Sequence, residues 1–333
     1  IVGHNAAMTR PSLLRHFALL LLAACTTASA GTIDRRIAVT IDDLPWQRAG
    51  AVSGEVLQQR HEQLMAQLAR AGAPVTGFVN EFKLEVDGQL APERVAMLRD
   101  WLDAGYALGN HGYSHPQIAD IGAQAYCEDV ERGEQVLRPL LAERGQVPRW
   151  FRHPYLRAGR DAADREVLQA CFERLGYAIA PVTVDNSEWI WAAAYARVLD
   201  GEVQVEDREG TLQRLREGYV PYMLDKLDYF ERQSIELLGY ALPQVWLMHA
   251  NELNAASYAP LIDAVRQRGY RLVSLDEAMQ DPAYARGEGG YTGAAGIGWL
   301  HRWALGSTPR GKILPDEPLV PQWVLELAGI GSE

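Results

Sequence analysis

At 333 residues, 48% of them hydrophobic and 23% charged, the chain is an ordinary globular one, long enough for one large α/β barrel domain or two smaller domains. Its formal net charge of −11 argues against a nucleic-acid partner, which asks for a basic face. The same charge does not favour an anionic polymer as substrate unless a local basic groove overrides it.

Residues 1–30 read as an export signal and are set aside from the fold, with Met8 as a start and Ile1–Ala7 upstream of it. Arg10, Arg15 and His16 form a positive region, and Phe17–Ala24 an apolar one. That apolar run is too short to span a membrane, which takes about 20 residues. Ala28-Ser29-Ala30 is a small-x-small cleavage site that gives a mature chain from Gly31. Leu22-Ala23-Ala24-Cys25 reads alternatively as a lipoprotein box, with a lipid anchor on Cys25. Either reading exports the domain, as a periplasmic or secreted protein or as a membrane-anchored lipoprotein.

The first strand is Ile37–Ile41, β-branched and apolar, and it ends in Asp42-Asp43 before Pro45 stops it. Ser53 opens an amphipathic helix to Ala71, closed by Gly72 and Pro74. Val75–Val79 is a second strand, and Asn80-Glu81 after it is expected at the rim of a site. A helix over Pro92–Ala104 leads to a short strand, Tyr106–Gly109, that delivers Asn110-His111. Ala119–Arg144 reads as one long helix kinked at Pro139. Arg149–Arg152 is a strand, Asp161–Leu175 a helix, and Ala178–Val184 a strand that delivers Asp185. Trp189–Pro243 is mostly helical, with apolar residues at helical spacing, and reads as a hairpin divided or kinked at Pro221. Val245–Met248 delivers His249, a helix covers Ser257–Arg268, and Tyr270–Val273 is the last strand. Strands alternating with helices imply βαβ units and a parallel sheet, and functional residues at the strand ends suggest a barrel. Cys127 and Cys171 lie on expected helices and read first as buried small apolar residues, with a disulfide in an oxidising compartment as the alternative.

Two adjacent carboxylates at a strand end cannot both be core. Buried together they repel, unless one takes up a proton or a cation sits between them. His111 and His115, four apart, can turn both imidazoles to one ion from a helical turn or a tight loop. Two neutral imidazoles plus one carboxylate, with positions left for water and substrate, are the donor set of catalytic zinc.

In chain order, Thr40-Ile41-Asp42-Asp43, His111-Gly112-Tyr113-Ser114-His115, Arg152-His153-Pro154-Tyr155, Asp185-Asn186-Ser187-Glu188-Trp189 and Leu247-Met248-His249 resemble the five motifs of the polysaccharide deacetylase family, carbohydrate esterase family 4. The resemblance covers about residues 36–275, and Glu188 stands where the family usually has a second Asp. It implies an α/β fold, a distorted seven-stranded (β/α) barrel over 31–280, with a helical insert at about 190–243 and a C-terminal extension over 281–333. It also implies a metal-dependent hydrolase that removes acetyl groups from N-acetylated or O-acetylated carbohydrate, acting on an acetylated glycan or a small acetylated sugar. A small non-carbohydrate amide fits the same barrel as an alternative substrate.

On that resemblance Asp43, His111 and His115 hold one divalent ion, zinc first, with cobalt, manganese and nickel also accepted by such donors. Asp42 is the general base for water activated by the ion. Arg152 orients Asp42 and holds its pKa down, with Asp185 as the second acid beside Arg152. Pro154 fixes the backbone so that the Tyr155 amide points at the tetrahedral oxyanion. His249, which spacing alone would make a core histidine, becomes the general acid. Trp189 and Leu247 either wall a pocket for the acetyl methyl or pack in the core.

A non-haem iron oxygenase shares the two-His, one-carboxylate donor set, but those sites sit in all-β jelly rolls and the pattern here is rich in helices. A non-catalytic carbohydrate-binding relative would need neither Asp42 nor His249. The glycine-rich stretch from Gly287 that leads to Trp299-Leu300-His301-Arg302-Trp303 reads as a lid over the substrate groove or as a tail anchored on the barrel.

Overall fold

The computed structural model describes residues 1–4, 34–307 and 312–333, so the cleavage site and the Cys25 anchor lie outside the described residues. In chain order the elements are β1 (Arg36–Leu44), α1 (Gly54–Ala71), β2 (Val75–Val79), the hairpin strands β3 (Glu85–Val86) and β4 (Gln89–Leu90), α2 (Pro92–Asp103) and β5 (Ala107–Asn110). Then come α3 (Ile118–Arg132), α4 (Leu137–Ala142), β6 (Trp150–Phe151), α5 (Ala162–Leu175), β7 (Ala178–Ile179), α6 (Glu188–Leu199), α7 (Arg208–Leu238) and β8 (Gln244–His249). The chain finishes with α8 (Glu252–Gln267), β9 (Arg271–Leu272), α9 (Leu275–Ala278), α10 (Trp299–Ser307) and α11 (Gln322–Ala328).

The sheet is parallel and seven-stranded. Its order is β7-β6-β5-β2-β1-β8, and β9 pairs the first residues of β1. The run after β7 turns back to β8, where Val184 bridges Trp246 and the Thr183 and Val184 amides both donate to Val245 O at 3.0 Å. One segment thus pairs β6 at its start and β8 at its end, which curls the sheet into a distorted (β/α) barrel. Only two residues of the expected strand Ala178–Val184 remain regular, because the segment crosses between neighbours instead of following one.

Why the barrel forms is plain along β1. Ile37, Ala38, Val39 and Ile41 are all buried, so a β-branched strand covered on both faces beats any helical alternative. Ser53 caps α1 by accepting from the Val56 amide, and Gly72 closes that helix with a left-handed φ of 58°. The expected single helix over Ala119–Arg144 is two, α3 and α4. At the break, a Cβ on Gly133 would stand 2.5 Å from the Gly112 carbonyl carbon and 2.7 Å from the Tyr113 nitrogen. Only glycine lets the end of α3 lie against the loop that carries His111 and His115. Glu81 then caps α4, accepting from Val136 N at 2.9 Å and Leu137 N at 2.7 Å. Asn80 and Glu81 are therefore buried struts and not rim residues: the Asn80 amide donates to His111 O at 2.7 Å.

Between β7 and β8 the chain forms the helical pair α6–α7, and Pro221 lies inside α7 without dividing it. The lost hydrogen bond and ring clash cost about 3 kcal/mol or more. Burying Leu215, Tyr219, Met223, Leu227 and Phe230 on one face offsets that, since each large apolar side chain contributes roughly 1.5–3 kcal/mol. Cys127 on α3 and Cys171 on α5 form a disulfide, correcting the reading of two separate core thiols. Both are buried on helices that pack together, so burial and pairing coexist. Beyond β9, α10 packs on α7 and α11 on α6. Trp299 and Trp303 are buried, so neither offers a face to a sugar. Among the described residues no helix is long and apolar enough to cross a membrane.

Candidate metal centre and active site

The barrel register brings the site together. Asp42 pairs His249 across β1 and β8, Val79 pairs Asn110 across β2 and β5, and Asn110 pairs Phe151 across β5 and β6. His111 and Arg152 follow those last partners directly. Asp43 sits at φ 72°, a left-handed conformation that Asp tolerates better than most residues. That turn sends the two neighbouring carboxylates different ways. Asp42 faces Arg152, at 3.3 Å from Nη1 to both its oxygens, and Asp43 faces the histidines.

The donor atoms of Asp43, His111 and His115 lie within 4.8 Å of one another. The His pair stands on a tight loop with His115 at φ 58°, held by the Asp129 carboxylate, which accepts from the Tyr113 amide at 2.9 Å and the Ser114 hydroxyl at 2.6 Å. His111 Nδ1–H donates to Arg152 O at 2.7 Å, which leaves Nε2 free as a ligand atom. Burial lowers His111 to about 3, and burial together with the neighbouring His111 lowers His115 to about 4. Both rings are therefore neutral, as metal ligands must be. Burial works to raise the Asp43 carboxyl, but the Lys83 ammonium and the surrounding histidines outweigh it and hold the group well below its ordinary value. Asp43 Oδ1 is buried without a hydrogen-bond partner. Its near neighbour is Lys83 Nζ at 2.8 Å, off the angle of a hydrogen bond. A buried carboxylate oxygen that takes an ion pair but no hydrogen bond, close to two neutral imidazoles, fits one divalent ion such as zinc.

Arg152 is fully buried. Its remaining donors go to Thr40 Oγ1 at 3.1 Å and to the carbonyls of Ala180 at 2.8 Å and Pro181 at 3.4 Å. The expected Arg152–Asp185 pair is therefore not formed, because Thr40 and backbone carbonyls saturate the guanidinium. Asp185 accepts instead from the backbone amides of Gly298 and Asn186, and burial raises it to about 6. Asp42 also departs from expectation: burial raises its carboxyl and outweighs the downward pull of Arg152 and His249. A carboxylate kept more basic than usual is better suited to taking a proton.

His249 Nδ1 lies 2.7 Å from Glu188 Oε2, while Glu188 Oε1 accepts from Asn251 and Asn254, both at 2.6 Å. Tyr219 in turn donates to Asn254 Oδ1 at 2.8 Å. Burial works to lower His249, but the charge and hydrogen bond of Glu188, with Asp43 and Asp42 behind them, raise it to about 9. An imidazolium with Nδ1–H bound to Glu188 keeps its Nε2 proton available. Glu188 thus takes the role of partner to His249. Its signal in the sequence was its place in the fourth motif, where an acid of different length stands.

These groups open into one cavity of about 620 Å³, lined among others by Asp42, Asp43, His111, His115, Tyr155, Asp185, Trp189, Leu247 and His249. The Tyr155 ring lies 4.5 Å from that of His115 and is half exposed, as is Trp189, while Leu247 is buried in the wall. Lys83 also lines the cavity and was not singled out in the sequence.

Residues 29–176 match the sequence model of the family described as polysaccharide deacetylase. The chain is 22% identical over 258 residues to a chitin deacetylase of Arthroderma benhamiae, covering 77% of this chain and 55% of that protein. It is 35% identical over 51 residues to a peptidoglycan-N-acetylglucosamine deacetylase of Bacillus cereus, covering 15% and 18% of the two chains. The chain thus spans about half the length of the first of these relatives and less than a fifth of the second. Among solved structures, a peptidoglycan deacetylase of Bacillus subtilis aligns with a TM-score of 0.47 at 18% identity, covering 76% of this chain and 95% of that one. The portion that matches carries Asp42, Asp43, His111, His115 and Arg152, so over these residues the chain is similar to the polysaccharide deacetylase family.

Proposed function

We propose that the protein is an exported, metal-dependent deacetylase that hydrolyses the acetamido or acetyl ester group of an acetylated glycan or small acetylated sugar. The observation that carries this reading is the pairing of Asp42 and His249 across one cavity from Asp43, His111 and His115. A base and an acid of separated proton affinity flank a three-donor metal seat, as acyl hydrolysis requires.

Asp43, His111 and His115 would hold the divalent ion, which supplies Lewis acidity to the acyl carbonyl and to the attacking water. Asp42 receives the proton of that water, with Arg152 fixing both carboxylate oxygens. The Tyr155 amide stands by the carbonyl oxygen as charge develops there. His249 gives its Nε2 proton to the departing nitrogen or oxygen, and the charge left on Glu188 keeps the ring ready to be reprotonated. Trp189 and Leu247 enclose the methyl group. The test is acetate release from a panel of N- and O-acetylated glycans, with and without added zinc, cobalt, manganese or nickel. Acetate from at least one glycan, lost on chelation and restored by metal, is expected. Binding of sugar without any acetate release across the panel would leave a carbohydrate-binding relative in its place.

A further inference from the structure

The loop after β6 is strained. Tyr155 and Leu156, neither of them glycine, follow one another at φ 55° and 54°. Each such residue costs about 1–3 kcal/mol and persists only where the surroundings over-determine it. The turn itself carries two backbone hydrogen bonds, Leu156 N to His153 O at 3.0 Å and Arg157 N to Pro154 O at 3.1 Å, and Arg157 Nη1 donates to Gln117 Oε1 at 2.6 Å. Further contacts reach the loop from α5 and from the C-terminal segment.

Arg302 of α10 is fully buried and donates from Nη2 to Leu156 O and from Nε to Ile297 O at 2.9 Å. Its Nη1 meets Glu288 Oε2 at 3.1 Å. The same oxygen accepts from Arg165 Nε of α5 at 2.9 Å. Arg165 Nη2 reaches Gly159 O at 3.3 Å, at the other end of the loop, and Gly293 O at 2.8 Å. One carboxylate thus joins two guanidinium groups that clamp both ends of the loop, at Leu156 and at Gly159. Just before the first of these points Gly296 lies on the Tyr155 carbonyl, where a Cβ would stand 1.8 Å from the oxygen. Gly296 also lines the cavity above the metal donors.

We infer that the segment Gly287–Trp303 is a working part of the active site. The Arg302–Glu288–Arg165 bridge holds the Tyr155–Leu156 backbone in its left-handed form, and Gly296 seats the Tyr155 peptide against the cavity. Glu288, Arg302 and Arg165 are positioning residues: none touches the metal donors, and each acts through the loop that presents the Tyr155 amide. The catalytic part of this inference rests on the deacetylase reading above, whereas the part that concerns the loop does not.

The experiment uses the full chain with Glu288→Gln, Arg302→Lys, Arg302→Met and Gly296→Ala. Amide hydrogen exchange followed by mass spectrometry reads residues 154–159 directly. In Glu288→Gln and Gly296→Ala, exchange there should rise at least about tenfold while the peptides around Asp43 and His111 stay protected. Calorimetric zinc affinity should stay at the wild-type value. On the glycan that wild type deacetylates, kcat should fall roughly 10-fold to 100-fold with KM within about twofold, the mark of an interaction made in the transition state. Arg302→Lys, which keeps a cation near Glu288, should recover part of the rate lost in Arg302→Met. Wild-type exchange at 154–159 in Glu288→Gln and Gly296→Ala would overturn the inference, and so would loosened exchange with unchanged kcat. Should Arg302→Met fail to fold, Glu288→Gln and Gly296→Ala still decide the question. A wild-type chain that releases no acetate from any glycan removes the deacetylase reading, and the exchange result still decides whether the bridge holds the loop.

Discussion

Replacing Glu188 with Gln tests the proton chemistry at one atom. Glu188 is fully buried, with Oε2 at 2.7 Å from His249 Nδ1 and both donors on Oε1 at 2.6 Å. Burial by itself pushes His249 below its ordinary 6.5, and the carboxylate reverses that to bring it to about 9. The span from 6.5 to about 9 separates the two protonation states by roughly 3 kcal/mol, at about 1.36 kcal/mol for each pH decade. Gln keeps the shape and one acceptor oxygen but loses the charge, so only Asp43 and Asp42 still oppose burial and His249 falls from about 9. Its amide nitrogen can also face Nδ1 as a donor, which favours the neutral ring. Wild-type acetate release should then hold until the alkaline limb nears pH 9, where His249 loses its proton. Glu188→Gln should move that limb down by at least about one pH unit, with kcat at about pH 8.5 falling accordingly. Stability follows the same sign. The folded value lies above the unfolded one, so the pair stabilises the fold fully below about 6.5 and loses that contribution as the pH rises through about 9. An alkaline limb of Glu188→Gln at the wild-type pH would refute this reasoning.

Other changes read out other parts of the molecule. His115→Ala removes one of three donors, so zinc stoichiometry and turnover should be lost together; full zinc occupancy in that variant would reject the assignment. Lys83→Met removes the ammonium that stands 2.8 Å from Asp43 Oδ1 and must give way to a dication, so calorimetry should show zinc binding tightened by roughly tenfold; equal or weaker binding counts against that rivalry. Replacing Cys127 and Cys171 by Ser opens a covalent link across a sequence separation of 44 residues. The melting temperature should drop by several degrees, since such a loop contributes about 4 kcal/mol, while zinc affinity stays unchanged; an unaltered melting temperature would mean that α3 and α5 hold without the link.

The parts legible in the sequence were those set by local rules. Asp42, Asp43, His111, Arg152 and His249 stand at or just past apolar strands, and strand ends are where a barrel exposes side chains. The cap at Ser53 and the stop at Gly72 likewise depend on their near neighbours alone. What stayed hidden was set by residues far apart in the chain. Nothing near Gly133 says that the loop at Gly112 will press against it, so the break between α3 and α4 could not be placed. Likewise, no spacing rule tells that Thr40 and two carbonyls will take the donors of Arg152, or that Asp185 will be capped by Gly298. The disulfide was open for the same reason, since two helical cysteines are compatible with pairing or with simple burial. Lys83 escaped because a lysine on a short turn is usually a solvated charge, and only the fold brings it over Asp43.

Asp42 and His249 occupy one rung of the ladder between β1 and β8. In the proposed reaction the spacing of base and acid is therefore fixed by hydrogen bonding between adjacent strands, about 4.8 Å apart, and by no loop. A closing movement of the rim can bring substrate in but cannot bring these two groups nearer. On that reading the proton route across the acyl group is a constant of the scaffold. If the proposed activity holds, choice among glycans is left to the loops, which can change length or composition without retuning the chemistry. By the same logic a slip of β8 by a single residue would turn His249 away from Asp42 to the opposite face, so a correct register and a working proton relay are acquired in the same folding event.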